Sequence, residues 1–242
     1  MENNNVKIDI LVYNLLVISS TSVVYIAKAE GGTMRFIQTW SYACANFLMT
    51  QMKENHEKRR VYYFGFQVVI GTLFEAILLV GAALLLGVFL PMLVTSAAFI
   101  GLRVIAGGYH MDTYGKCTVA TLVLFLITSC ISGYTHTLWS SQSIFTFIFI
   151  CFALVLPIII KWAPSDTPNR PISDPEEIRK FKRLSITYIF LWLAAALVLA
   201  YYKQNLFVLA SCFGILLEAF IITPAAYRLF DKLSGKRTKT GI

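Results

Sequence analysis

Long apolar runs, separated by short polar breaks, make up most of the chain after residue 60. A helix needs about 20 apolar residues to cross the hydrocarbon core of a bilayer, with a working range of roughly 17 to 25. Runs of this length predict an all-α integral membrane protein, a polytopic bundle of about six transmembrane helices. Before the fifth run, Ser-Asp-Pro-Glu at 173–176 matches a helix N-cap with acidic first-turn residues. The predicted spans are 61–86, 89–105, 118–138, 143–160, 184–202 and 206–223.

The residues before this bundle are less regular. The segment 40–53 mixes apolar and polar side chains, which predicts an N-terminal interfacial helix lying on the membrane surface. Residues 8–27 are apolar enough to form an extra span, but Ala-Lys-Ala at 27–29 also resembles a signal-peptide cleavage site. An alternative start at Met34 would make the preceding residues a separate extension. The predicted organisation is an N-terminal extension at 1–37, a membrane domain at 38–230 and a basic cytoplasmic tail at 231–242.

Composition and charge agree with this class of protein. Of the 242 residues, 57% are hydrophobic and 14% are charged, and the mean hydropathy is +0.67. These values are typical of an integral membrane protein and exclude an ordinary soluble domain. The net charge of +8 lies almost wholly outside the apolar runs. In a membrane protein, such an excess reflects topology and attraction to anionic lipid, so we do not predict nucleic-acid binding.

Lys and Arg are concentrated in alternate connections. They precede the first run, separate runs two and three, separate runs four and five, and follow run six, whereas the intervening connections hold only Lys203. Positively charged connections usually stay in the cytoplasm. We therefore expect a multi-pass protein of the cell membrane, with the polar connection between runs two and three on its cytoplasmic side.

That connection carries the most reactive side chains. It reads Arg103-Val-Ile-Ala-Gly-Gly-Tyr-His110-Met-Asp-Thr-Tyr-Gly-Lys-Cys117, so an imidazole and a thiol lie seven residues apart. A histidine can serve as the general base for a cysteine nucleophile. In an unbroken helix the two would be separated by about 10.5 Å along the axis, which is too far for contact. The glycine pair at 107–108, and Gly115 before the third run, predict a loop that can bring His110 back toward Cys117.

Cys117 is predicted to stand at the beginning of the third helix. Aligned backbone dipoles at a helix N-terminus favour a thiolate, and Lys116, Arg103 and a protonated His110 would favour it further. The alternative interpretation is that His110 and Cys117 are incidental residues of the membrane interface.

The other four cysteines offer nothing comparable. Cys130, Cys151 and Cys212 lie inside apolar runs, where a thiol usually behaves as a small hydrophobe, and Cys44 has no polar neighbourhood. Neither a C-x-x-C pair nor a histidine-rich segment suggests zinc, so we predict neither a metal nor another cofactor.

The segment Arg103-x-x-Ala-Gly-Gly-Tyr-His110, followed by Cys117, resembles the signature of the accessory gene regulator B (AgrB) family. These are membrane cysteine endopeptidases of Gram-positive quorum sensing. The loop Ala-Pro-Ser-Asp-Thr-Pro-Asn-Arg-Pro at 163–171 is similar to a second family motif, and Ile-Leu-Leu-Glu-Ala at 215–219 is a third, weaker similarity. The resemblance covers about residues 40–230.

The resemblance implies an enzyme that cleaves an AgrD-like precursor peptide. Cys117 would be the nucleophile, and His110 its base and then its acid. The acyl group would remain on Cys117 as a thioester until a Cys or Ser of the precursor attacks it, which closes a cyclic thiolactone or lactone quorum-sensing peptide. The resemblance also implies a homodimer.

The roles of the residues that would support His110 and Cys117 are open. Gly107 and Gly108 allow backbone N–H groups to approach an oxyanion closely, or serve only to end the second span. Arg103 binds an acidic precursor tail, stabilises the thiolate, or extends to the interface as a snorkelling residue. Glu75 and Glu218 lie within spans, so we expect both to face the protein interior and to find partners there.

Two other classes of function compete with the protease. A small peptide transporter or exporter could use Glu75, Glu218 and Arg103 as a polar pathway, although neither repeats nor paired broken helices are visible. A non-catalytic membrane scaffold would use its basic connections to bind anionic lipid or a partner. A neighbouring reading frame that encodes a short peptide with an internal Cys or Ser would favour the protease.

Overall fold

The computed structural model describes residues 35–52, 58–109, 114–165 and 174–233, and within these ranges it contains helices and no β-strand. A short 3-10 turn, His136–Leu138, follows the fourth helix. In chain order the helices are α1 (35–52), α2 (Lys58–Leu85), α3 (Phe89–Ala106), α4 (Tyr114–Thr135), α5 (Ser141–Trp162), α6 (Pro175–Tyr201), α7 (Asn205–Ile221) and α8 (Pro224–Leu233).

The predicted membrane bundle is confirmed. Five helices, α2 to α6, are long and apolar enough to cross a membrane. The bent pair of α7 and α8, in which α8 turns 77° away from α7, makes a sixth if the pair is counted as one span. Apart from the start of α6, the helix ends fall close to the predicted boundaries, which were placed where the apolar runs stop. The predicted features within residues 1–34 lie outside the described residues.

Helix α6 begins well before its apolar run. Its first residue is Pro175, and the Asp174 carboxylate accepts a hydrogen bond of 2.9 Å from the Glu176 N–H. This confirms the predicted helix start, since an acidic N-cap satisfies an amide that has no partner inside the helix. The charged first turns of α6 therefore extend beyond the span itself.

The chain divides into two compact units, one of residues 1–78 and 113–123, the other of residues 79–112 and 124–242. In the first unit, α1 is helical as predicted, and its buried positions Ile37, Ser41 and Ala45 recur every four residues along one face. Arg59 at the start of α2 donates a hydrogen bond of 3.2 Å to the Tyr42 hydroxyl. The placement of α1 on a membrane surface stays a prediction.

The second unit is built around α7, which packs against α3, α5 and α6. Gly214 permits the closest approach, because a Cβ atom there would collide with the Thr95 carbonyl oxygen of α3. The Thr95 hydroxyl also donates a hydrogen bond of 3.1 Å to the Ala210 carbonyl of α7. Small residues at such crossings allow the backbones of two helices to approach closely. Within a lipid bilayer no hydrophobic force draws helices together, so close packing of this kind drives their association.

The C-terminal ends of α3, α5 and α7 meet at one end of this unit. The Ser165 N–H, just after α5, donates a hydrogen bond of 2.7 Å to the Ala106 carbonyl at the end of α3. The Ser165 hydroxyl lies 2.6 Å from the Tyr227 hydroxyl of α8. When successive helices cross a membrane in opposite directions, every second connection lies on the same side. This agrees with the concentration of Lys and Arg in alternate connections.

Candidate active site

The glycine pair ends α3 with a backbone that few other residues adopt. Gly107 has φ 73° and Gly108 has φ 140°, and the Gly107 N–H donates a 3.0 Å hydrogen bond to the Arg103 carbonyl. A Cβ atom on Gly107 would collide with the Ser165 carbonyl oxygen, and one on Gly108 with the Arg103 guanidinium. The predicted helix break is therefore present, and both positions exclude a side chain.

Arg103, near the end of α3, lies against the backbone that follows the helix. Its Nη2 donates a hydrogen bond of 2.5 Å to the Tyr109 carbonyl, and its Nη1 donates one of 3.4 Å to the Gly107 carbonyl. Nη1 also lies 3.6 Å from Glu218 Oε2. A guanidinium has five N–H donors in a rigid fork, so one side chain can satisfy several acceptors at once.

Glu218 on α7 is fully buried. Its distance from Arg103 is that of an ion pair, and neither carboxylate oxygen has a hydrogen bond within the part of the chain that the structure describes. The expectation that Glu218 finds a partner inside the protein is confirmed. Glu75 is half-buried in the other unit and hydrogen-bonds with Thr121, so it also has a partner.

Tyr109 is held by α8. Its hydroxyl donates a hydrogen bond of 2.8 Å to Asp231 Oδ1. Its ring stacks on Phe230, with centroids 5.5 Å apart, and meets the Tyr227 ring edge-on at 4.9 Å. We call Arg103, Tyr109, Tyr227, Phe230 and Asp231 the Tyr109 cluster. The other four residues of the cluster hold Tyr109, which directly precedes His110 in the chain.

Cys117 lies in the first turn of α4 and is half-buried, as is Lys116 beside it. The predicted position at a helix start is confirmed. The helix begins at Tyr114, however, so Gly115 lies within its first turn instead of before it. The amide dipoles of this turn favour negative charge at Cys117.

The structure does not describe residues 110–113, so His110 lies outside the described residues and its pairing with Cys117 stays a prediction. Of the other predicted site residues, Arg103, Gly107 and Gly108 lie together in one unit, while Lys116 and Cys117 belong to the other. Among the described residues, no group of three or more His, Cys, Asp or Glu could hold a metal ion. The cysteines within spans, Cys130, Cys151 and Cys212, are buried.

Three members of the Tyr109 cluster were not singled out from the sequence: Tyr227, Phe230 and Asp231. Asp231 is the first residue of the predicted basic tail, and α8 continues through it to Leu233. The sequence did contain a pattern that could have indicated Tyr227 and Asp231. Tyr227 and Asp231 are four residues apart, after a proline that can begin a helix, so they share a face.

Comparisons with known proteins agree on one family. The model of the accessory gene regulator B family matches residues 41–222. The accessory gene regulator protein B of Staphylococcus intermedius is 34% identical over 161 residues, which are 66% of this chain and 79% of that protein. The corresponding protein of Staphylococcus saprophyticus is 33% identical over 149 residues, 58% of this chain and 74% of that protein. A putative AgrB-like protein 2 of Clostridium perfringens is 22% identical over 175 residues, 70% of this chain and 80% of that protein. No solved structure matches the chain.

Proposed function

Because this multi-pass membrane protein belongs to the accessory gene regulator B family, we propose that it is the cysteine endopeptidase that processes an AgrD-like precursor peptide for quorum sensing. The observation that carries the proposal is the position of Cys117 in the first turn of α4. There the residue is half-buried and close to the N-terminal end of the helix, where backbone dipoles favour a thiolate. His110 follows the glycine-broken end of α3 and supplies the base.

The first chemical step transfers an acyl group to the enzyme. His110 removes the proton from the Cys117 thiol, and the sulfur attacks the carbonyl carbon of the scissile peptide bond. The C–N bond then breaks, and His110 returns its proton to the departing amine. The product is a thioester on Cys117 and a released C-terminal fragment.

The second step closes the ring. A thiol or hydroxyl of the bound precursor attacks the thioester carbonyl, a new C–S or C–O bond forms, and Cys117 leaves with the proton that this nucleophile gives up. The thioester conserves acyl-transfer potential that hydrolysis would discard. Exclusion of water at a membrane-bounded site therefore favours cyclisation over hydrolysis.

The contacts of Gly107 and Arg103 favour some of the proposed supporting roles over others. The Gly107 N–H already donates to the Arg103 carbonyl, so Gly108 is the better oxyanion donor of the glycine pair. Arg103 is occupied by two backbone carbonyls and Glu218, which favours a role in holding the chain over direct contact with the precursor. Lys116 adds positive charge next to the nucleophile.

The test is to trap the proposed intermediate. A precursor whose cyclising Cys or Ser is replaced by Ala should still be cut by this protein, because cleavage precedes ring closure. Its N-terminal fragment should then remain on Cys117 as a thioester. Mass spectrometry of the intact protein after co-expression would show the added mass, and hydroxylamine should remove it.

The matched control carries Cys130→Ala, because Cys130 lies on the same helix but is buried within the span. That variant should form the same adduct. Cleavage without any adduct on Cys117, or an adduct on another cysteine, would contradict the proposal.

The proposed orientation places Cys117 on the cytoplasmic side. In a chain whose other cysteines are replaced by Ala, a membrane-impermeant maleimide should leave Cys117 unlabelled in intact cells and label it once the membrane is opened. Lys203→Cys provides the control, because Lys203 is exposed in the turn between α6 and α7, which is predicted to lie outside. Labelling of Cys117 in intact cells would overturn the orientation. The homodimer implied by the resemblance stays a prediction.

A further inference from the structure

We infer that α8 is a positioning element for the proposed base, with Asp231 and Arg103 as positioning residues that act through Tyr109. This inference rests on the proposed function, in which His110 activates Cys117. It concerns described residues of one compact unit, from the end of α3 to α8.

The first step of the argument is the peptide group between Tyr109 and His110. The carbonyl of Tyr109 belongs to the same planar group as the nitrogen of His110. Arg103 Nη2 donates a 2.5 Å hydrogen bond to that carbonyl oxygen. Because a peptide group is planar, holding its oxygen fixes the direction in which the chain enters His110. Charged donors make hydrogen bonds roughly twice as strong as neutral ones, which suits this task.

The second step is the side chain of Tyr109. The hydrogen bond from its hydroxyl to Asp231 and its stacking on Phe230 attach it to α8 at two points. With the carbonyl held from α3 and the ring held from α8, the residue is fixed from opposite ends. A base must lie within hydrogen-bond reach of its thiol, so a fixed neighbour reduces the conformational search for that geometry.

The third step explains why α8 is bent. After α7, the chain turns 77°, and α8 presents Ala226 and Phe230 as buried positions on one face. Arg228 and Lys232 are exposed on the other side. A helix that simply continued α7 would carry Asp231 away from the end of α3. The bend instead brings its carboxylate to the Tyr109 hydroxyl, 122 positions away in the chain.

The experiment uses the full chain in liposomes and measures the single-turnover rate of Cys117 acylation by a precursor peptide. Tyr109→Phe removes one hydroxyl and keeps the ring, and Asp231→Leu removes the acceptor. Each should slow acylation roughly 10- to 100-fold, as expected when a catalytic group loses its alignment. Precursor affinity, measured in the same variants combined with Cys117→Ala, should not change. Asp231→Asn keeps an oxygen acceptor and should retain most of the rate.

The two substitutions should also not be additive. If the Tyr109 hydroxyl and the Asp231 carboxylate act only through their shared hydrogen bond, the double variant Tyr109→Phe/Asp231→Leu will be no slower than Tyr109→Phe alone. The matched control is Tyr188→Phe, which removes a 3.2 Å phenol-to-carbonyl hydrogen bond to Ala98 within the same unit. That control should acylate at the parental rate.

The outcomes separate this inference from the proposed function. Parental acylation rates in both Tyr109→Phe and Asp231→Leu would overturn the positioning role while leaving the protease in place. An equal slowing in Tyr188→Phe would also overturn it, because the effect would then be one of general stability. Precursor cleavage by Cys117→Ala would instead overturn the proposed function. If Asp231→Leu fails to accumulate in the membrane, the acylation rate of Tyr109→Phe decides whether the positioning role holds, since this substitution removes a single oxygen atom.

Discussion

Replacing Cys117 with Ala is expected to stop precursor cleavage, with a loss of rate on the order of 10⁴-fold or more. The substitution removes the sulfur that is proposed to form the thioester, while the small side chain leaves the first turn of α4 intact. His110→Ala should lower the rate by about 10²- to 10⁴-fold, since the thiol remains but loses its general base. Both rates can be measured by mass spectrometry of precursor and product after co-expression.

Insertion and precursor binding should survive these substitutions, because both residues lie outside the apolar runs of the sequence that form the spans. Alanine at Cys151 or Cys212 offers the opposite control: these buried thiols contribute packing, so their loss should lower stability more than the rate of the chemical step. Normal processing by Cys117→Ala at parental membrane abundance would show that the thiol is not the nucleophile.

The largest expected effect on stability comes from the pair formed by Arg103 and Glu218. Arg103→Met leaves the fully buried Glu218 carboxyl without its cation and removes two hydrogen bonds to backbone carbonyls. Breaking a buried pair costs at most about 3–5 kcal/mol, and protonation of the carboxyl lowers that cost. Glu218→Leu should cost less, because Arg103 retains two backbone acceptors and some solvent exposure. Thermal unfolding in detergent would rank the two variants.

The double variant Arg103→Met/Glu218→Leu then separates packing from positioning. Replacing both charges by apolar side chains of similar size should restore most of the lost stability. It should not restore acylation of Cys117, because no cation remains to hold the Tyr109 carbonyl. A double variant as unstable as Arg103→Met would show that the pair is not the source of the destabilisation.

Sequence patterns predicted those parts of the fold that depend on local chemistry. The spans follow from apolar runs, the start of α6 from its capping residues, and the end of α3 from its glycine pair. Each of these features is decided by residues close together in the chain. The position of Cys117 at the start of α4 was predictable for the same reason.

The partners of these residues were not predictable in the same way. Glu218 was expected to be buried and paired, but nothing local indicated Arg103 as its partner, because the two meet only when α3 and α7 pack. The contact between Tyr109 and Asp231 depends on the bend before α8, which a hydropathy pattern does not report. Candidate catalytic residues could therefore be proposed from the sequence, whereas the contacts of Arg103, Tyr109 and Glu218 required the packed structure.

The two glycines after α3 also constrain how this protein can diversify. The space beside Gly107 is occupied by the Ser165 carbonyl, and the space beside Gly108 by the Arg103 guanidinium. A side chain at Gly107 would collide with backbone, and one at Gly108 would displace Arg103 and strain a backbone with φ 140°. If the protein processes a peptide precursor as proposed, adaptation to a different precursor is therefore expected to arise at positions other than these two glycines.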